Sequence, residues 1–161
     1  MQKFKMVNHS KIIELLNMKY WGFWLTMFYI MVLPTGILAE VGVEPRKIVL
    51  GTHQPLSGPM KNYAQIGRGA SIYFQYLNDQ GGIHGRQLFL LQRDDRFKPQ
   101  RTLKLVEELV MKDRVFALFS GIGTETSESA MPLLKSQGVP HFFIGSNARS
   151  ISKPPRHGIF S

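Results

Sequence analysis

Cysteine is absent from the 161 residues. Disulfides, Cys-ligated zinc and thiol catalysis are excluded together. Acid is missing where a cofactor would need it: no Asp or Glu follows Glu128. A dinucleotide site requires a carboxylate about 20 residues beyond its glycine turn, to hold ribose hydroxyls. The turn Gly121-Ile122-Gly123 has no such acid and carries Thr126 where a third glycine would pack. It also follows the third expected strand rather than the first. The same stretch, GIGTETS, has no Lys at P-loop spacing, so a phosphate loop is excluded too. His53, His84, His141 and His157 are scattered, with no i, i+4 pair to ligate a metal. Taken singly, such loop histidines are expected to be solvated. No cofactor and no metal site is expected.

Charge leans one way without concentrating. The formal net charge is +9, and the first 39 residues hold Lys3, Lys5, Lys11 and Lys19 against Glu14. The remainder carries 16 basic and 10 acidic residues. No run of Lys/Arg interleaves with aromatics. The closest grouping, Arg86, Arg93, Arg96, Lys98 and Arg101, is spread over a strand, a loop and a helix start. The expectation is a solvated basic surface and no nucleic-acid partner.

What is present begins with an uncharged run, Tyr20 to Ala39, preceded by Lys19 and broken by Pro34 and Gly36. A positive lead, an apolar stretch and a small terminal residue describe a secretory signal peptide over residues 1–39. Cleavage is expected after Ala39, and an uncleaved run would instead anchor the chain in a membrane. Met18 opens a more typical signal sequence, so it is a candidate true start. Residues 40–46 then read as a polar linker.

From Lys47 onward strands and helices alternate. Strands are expected at Lys47–Gly51, Gln87–Gln92, Val115–Phe119 and Pro140–Ile144, with Ile159-Phe160 starting another. Helices are expected over Ala64–Asn78, Pro99–Lys112 and Thr126–Gln137. The first helix has Ile66, Ala70, Tyr73, Phe74 and Leu77 as its apolar side, and the second has Leu103, Val106 and Val110. Pro99 suits a first turn and Gly138 a C-terminal stop. Short connections and strands that are apolar throughout predict an α/β fold, a parallel sheet with helices on both faces in three layers.

Ligands of such sheets sit beyond the carboxyl ends of the strands. Three loops at that edge share small neutral hydrogen-bonding residues: Ser57 and Tyr63 in the first, Ser120 to Thr124 in the second, and Gly145, Ser146 and Asn147 in the third. A hydroxyl-lined edge facing a helix N-terminus suits a small carboxylate. Ser57 and Thr124 have no plausible base, so nucleophilic catalysis is not expected. Asp94-Asp95 are expected to accept backbone N–H bonds at a strand–loop corner rather than to act as an acid/base pair.

The motifs PLSGP (Pro55–Pro59), N-x-x-GGI-x-G (Asn78–Gly85), the paired Asp after strand two, the strand-three glycine loop and GVP (Gly138–Pro140) stand in a specific order and spacing. Over about Lys47 to Ile151 the chain resembles the leucine/isoleucine/valine-type periplasmic binding proteins, the substrate-binding components of ABC transporters. The resemblance implies a type I periplasmic-binding fold, a non-enzymatic role, a periplasmic location and delivery of amino acids or similar small polar solutes to an inner-membrane permease. It implies a monomer in the full-length family. Thr124 corresponds to the family's hydroxyl contact to the ligand α-carboxylate, and Gly145 would offer a carbonyl to the α-amine. Asn147 takes the place of a frequent Thr, and Gly123 the place of a cysteine that some members pair in a disulfide. The family is two-lobed and roughly twice as long, so residues 47–161 read as the N-terminal part of lobe one in a truncated product with an exposed edge. The alternative is a ligand-sensing domain of a membrane-anchored receptor or regulator with the same fold.

Overall fold

A computed structural model describes residues 40–153 and 158–160. The expected signal peptide, residues 1–39, lies outside them. The strands are β1 (Lys47–Gln54), β2 (Gln87–Asp94), β3 (Ala117–Phe119), β4 (His141–Phe142) and β5 (Ile159–Phe160). The helices are α1 (Gln65–Asp79), α2 (Pro99–Met111), α3 (Thr124–Gln137) and the single turn α4 (Arg149–Ser152), and a 3-10 turn, Lys61–Ala64, leads into α1. All strand pairs are parallel, in the order β2-β1-β3-β4-β5. Reversing direction after β2 puts α1 on one face and α2 with α3 on the other, as right-handed crossovers require.

Both faces are apolar at mid-strand. Val49, Leu91 and Leu118 meet Val106, Leu109 and Leu134 of α2 and α3, while Leu50, Leu88, Leu90 and Ala117 meet Phe74 and Leu77 of α1. Each fully buried Leu or Val contributes roughly 1.5–3 kcal/mol. Residues 40–46 are tied to the sheet rather than free, with Val43 bridging Ile48 and Gly42 accepting from the Val49 N–H. The outer edge of β2 is closed by Asn78, whose side-chain amide donates to the Leu88 carbonyl at 2.9 Å and accepts from its N–H at 2.7 Å.

The helix stripes differ from expectation in phase. On α1, Ile66 and Tyr73 are exposed, and Gly67 and Phe74 face inward. A Cβ at Gly67 would come within 2.9 Å of the Gln92 amide oxygen, so the missing side chain lets the helix roll this face onto the sheet. On α2, Leu103 is exposed and Thr102 takes its inward place, because its hydroxyl bonds to Asp95 at 3.0 Å. β1 also runs three residues past Gly51, so the sheet is not apolar throughout. Its end, Thr52-His53-Gln54, is wholly buried and polar.

α1 covers β1 and β2 and reaches β3 through Phe74, whose ring meets Phe119 edge-on at 5.1 Å. From there Phe119, Phe142 and Phe160 stand in register across β3, β4 and β5. The rings of Phe142 and Phe160 stack at 4.9 Å, and Phe143 packs edge-on to Phe119 at 5.5 Å. Phe143 and Phe160 are 64% and 52% exposed, on an aromatic face that no described element covers.

Candidate functional site

The loops after β1, β2, β3 and β4 and the start of α3 line an open cavity of about 490 Å³. Of the residues expected at a site, Tyr63, Thr124, Gly145, Ser146 and Asn147 line it together. Ser57 does not. Its hydroxyl donates to Asp94 Oδ2 at 2.6 Å and its N–H to Oδ1 at 3.2 Å. The PLSGP turn is thereby fastened to the end of β2.

The polar end of the cavity is pre-assembled. Thr124 Oγ1 and Ser146 Oγ lie 2.7 Å apart, and Ser146 Oγ accepts the Ala148 N–H at 3.1 Å. The loops after β3 and β4 are stitched by Gly123 N–H to the Gly145 carbonyl (3.1 Å) and Gly145 N–H to the Gly121 carbonyl (2.8 Å). α3 begins at Thr124, two residues earlier than its apolar pattern predicts, on Gly123 with φ +99°. No side chain caps it. Its first N–H groups have no side-chain partner, and Gly123 and Thr124 at this helix start line the cavity; an anion beside such a terminus is favoured by roughly 0.3–1 kcal/mol at an exposed site.

The apolar end was not legible as a site. Met60, Ile66, Phe97, Ile122 and Ile144 line it, and no charged residue joins them among the described residues. Phe97 arrives through a two-residue left-handed turn, with φ +53° at Arg96 and +58° at Phe97. Such a conformation costs roughly 1–2 kcal/mol per residue. It is held by the two aspartates, as expected of them: Asp94 Oδ1 accepts the Arg96 N–H at 3.1 Å and Asp95 Oδ1 the Phe97 N–H at 2.8 Å. Burial raises the Asp94 carboxyl, but the bonds from the Ser57 hydroxyl and the Arg96 and Ser57 N–H groups outweigh it, and the net shift is downward.

Under the cavity floor lies a buried polar cluster that corrects the reading of the histidines. His53, Asp95, Thr102, Ser127 and His141 are all 0% exposed. His53 Nδ1 is 2.9 Å from Asp95 Oδ2, and His53 Nε2 is 3.5 Å from Ser127 Oγ. The order Ser127–His53–Asp95 is that of a nucleophilic triad. With Ser127 wholly enclosed and the contact at the outer limit of a hydrogen bond, no substrate reaches its oxygen. The cluster acts instead as a strut joining β1, α2 and α3. Both ring nitrogens of His141 are buried without a hydrogen-bond partner. Burial first, and then the proximity of His53, pushes its pKa down from 6.5 to about 3. Gly121 packs against both rings, and a Cβ there would fall 2.2 Å from His53 Nε2 and 2.8 Å from His141 Nε2. His53 reads as a loop residue only if β1 stops at Gly51, whereas His141 already falls inside the expected strand Pro140–Ile144, which is the sequence signal for its burial.

Residues 47–161 match the family model described as periplasmic binding protein. An amino acid binding protein of Pseudomonas aeruginosa is 26% identical over 132 residues, covering 81% of this chain and 33% of that protein. A substrate-binding periplasmic protein from Ralstonia solanacearum superposes with a TM-score of 0.62 at 30% identity, over 68% of this chain and 31% of its own. A possible leucine/isoleucine/valine-binding protein from Rhodopirellula baltica superposes with a TM-score of 0.64 at 22% identity, over 74% and 31%. The chain spans about a third of the length of the curated relatives it matches.

Proposed function

This chain belongs to the periplasmic binding protein family, and on that premise we propose that it forms the ligand-holding first lobe of an extracytoplasmic solute-binding component of an ABC transporter. The solute is an amino acid or a similar small carboxylate. The observation that carries this reading is the polar end of the cavity: the Thr124–Ser146 hydroxyl pair set against the uncapped start of α3. One of the two hydroxyls donates to the other, which leaves one O–H and the N–H groups at the helix start to meet a carboxylate's oxygens without a full positive charge, so the ligand can also leave, as a delivery protein requires. Gly145 already spends one carbonyl lone pair on Gly123 and keeps the second for an amine. The opposite wall comes from a second lobe, as the resemblance implies, and an inner-membrane permease receives the solute.

The role is binding, not catalysis. The Ser127–His53–Asp95 series has no access for a substrate, and the family is one of solute-binding proteins. The relatives' names, an amino acid binding protein and a substrate-binding periplasmic protein, support a solute-binding role. Secretion rests on residues 1–39 as a cleaved signal, and a mature N-terminus at Glu40 by mass spectrometry is the expected result.

The site itself is tested by titrating the isotopically labelled full chain with leucine, isoleucine and valine and following amide resonances. With one wall of the cleft, affinity is weak, in the millimolar range that such spectra read. Shifts are expected at Thr124, Ser146 and Asn147 and should fade in Thr124→Val. Undisturbed resonances at these three amides for every amino acid would remove the cavity as the binding site.

A further inference from the structure

We propose that Phe97 is a specificity-determining residue of this cavity, forming an aromatic wall that selects a carboxylate with a flat aromatic body over one with a branched aliphatic body. The inference rests on the proposed carboxylate reading of the Thr124–Ser146 end and concerns the other end of the same ligand.

Three observations carry it. First, the chain accepts two consecutive left-handed residues, Arg96 and Phe97, neither of them glycine. Strain of this kind persists only where the surroundings over-determine it, and it concentrates at ligand clamps. Here the determinants are explicit. Asp95, fully buried and bonded to His53 and Thr102, takes the Phe97 N–H, and Asp94, fastened by Ser57, takes the Arg96 N–H. The buried strut therefore aims one side chain, and that side chain is a phenyl ring.

Second, the ring is seated on a position that has to be glycine. A Cβ on Gly123 would lie 2.6 Å from Phe97 Cε2. The edge of the ring thus closes on the backbone that begins α3, one residue before the carboxylate-facing Thr124. Third, the ring is only partly covered. It remains 36% exposed and lines the cavity, with Ile122 and Ile144 as the buried apolar floor. A ligand whose carboxylate meets Thr124 and Ser146 must carry its body past this ring. An aromatic body gains an offset or edge contact there that an aliphatic body of similar length does not.

The test compares benzoate with 3-methylbutanoate, two monocarboxylates without an amine that differ in the body alone. The full chain is titrated with each, reading the amide resonances of Thr124, Ser146 and Phe97. Benzoate is expected to bind roughly three- to tenfold more tightly, the range of one aromatic–aromatic contact. Phe97→Leu keeps an apolar wall but no ring, and it should bring the two affinities within about twofold of each other by lowering that for benzoate alone. Equal or tighter binding of 3-methylbutanoate by the unmodified chain overturns the proposal, as does a preference that survives in Phe97→Leu. If amino acids shift the Thr124 and Ser146 amides and the aromatic acid does not, this inference fails and the parent reading stands. If no carboxylate shifts them, both fall.

Discussion

Replacing His141 by Leu should remove most of the acid sensitivity that the protein carries above the carboxylate range. His141 is fully enclosed on β4 with neither ring nitrogen hydrogen-bonded, and the ring of His53 stands 5.7 Å away, edge to face. Its pKa falls from 6.5 in the unfolded chain to about 3 in the fold. The folded value is the lower one, so the native state binds fewer protons than the unfolded state between these limits. Stability is therefore whole above about pH 6.5 and declines as pH falls toward 3. The slope is about 1.4 kcal/mol per pH unit, and the full loss is on the order of 5 kcal/mol, comparable to the entire stability of many domains. Leu fills a similar volume, cannot take a proton, and leaves no polar atom buried without a partner, a defect worth about 1–3 kcal/mol. Near pH 7 the variant should be as stable as the parent or more so. Urea unfolding followed by circular dichroism, at steps from about pH 7 to about pH 4.5, reads the difference. The parent should lose stability at close to the full slope across this window, and His141→Leu should be nearly flat. The lowered carboxyl of Asp94 loses its contribution only at still lower pH, so it does not confuse the window. His53, the titratable group that faces the ring, remains in both proteins. Equal slopes in parent and variant would refute the reasoning, as would an imidazole resonance of His141 that titrates near its ordinary value.

Two further outcomes follow from contacts in the fold. Ser57→Ala removes the 2.6 Å bond to Asp94 and should destabilise the fold by about 1–2 kcal/mol, since the bond engages a carboxyl at a half-buried corner; urea unfolding near neutral pH checks this, and the variant should also be less protected against acid below the ordinary carboxylate range. Replacing Phe143 and Phe160 together by Ser should reduce binding of a hydrophobic reporter dye while leaving the α2–α3 core untouched, because both rings stand on the uncovered side of β4 and β5; unchanged dye binding would show that this face is not the exposed apolar patch.

The order of elements, the parallel sheet and the edge where the cavity opens were legible in the sequence. They depend on local signals: apolar runs of strand length, glycine stops, Pro99 at a helix start and small hydroxyl residues between strand and helix. Thr124, Ser146, Asn147, Gly145 and Tyr63 could be grouped for that reason, because topology alone sends the loops after β1, β3 and β4 to one edge. Ser57 was grouped with them on the same ground, yet its side chain turns to Asp94, a partner 37 residues away that no local pattern reveals. The same limit hid the strut. His53, Asp95, Ser127 and His141 come from four separate segments, and each is unremarkable until the sheet and the two helices close over them. Phe97 belongs with these residues. Its place in the cavity is set by two left-handed backbone angles and by a neighbouring glycine with no Cβ to exclude the ring. The sequence determined which segments build the edge, because period and turn chemistry act over a few residues. The tertiary structure alone decided which side chains meet there, because distances between remote segments are fixed by packing and by the pairing of buried polar groups.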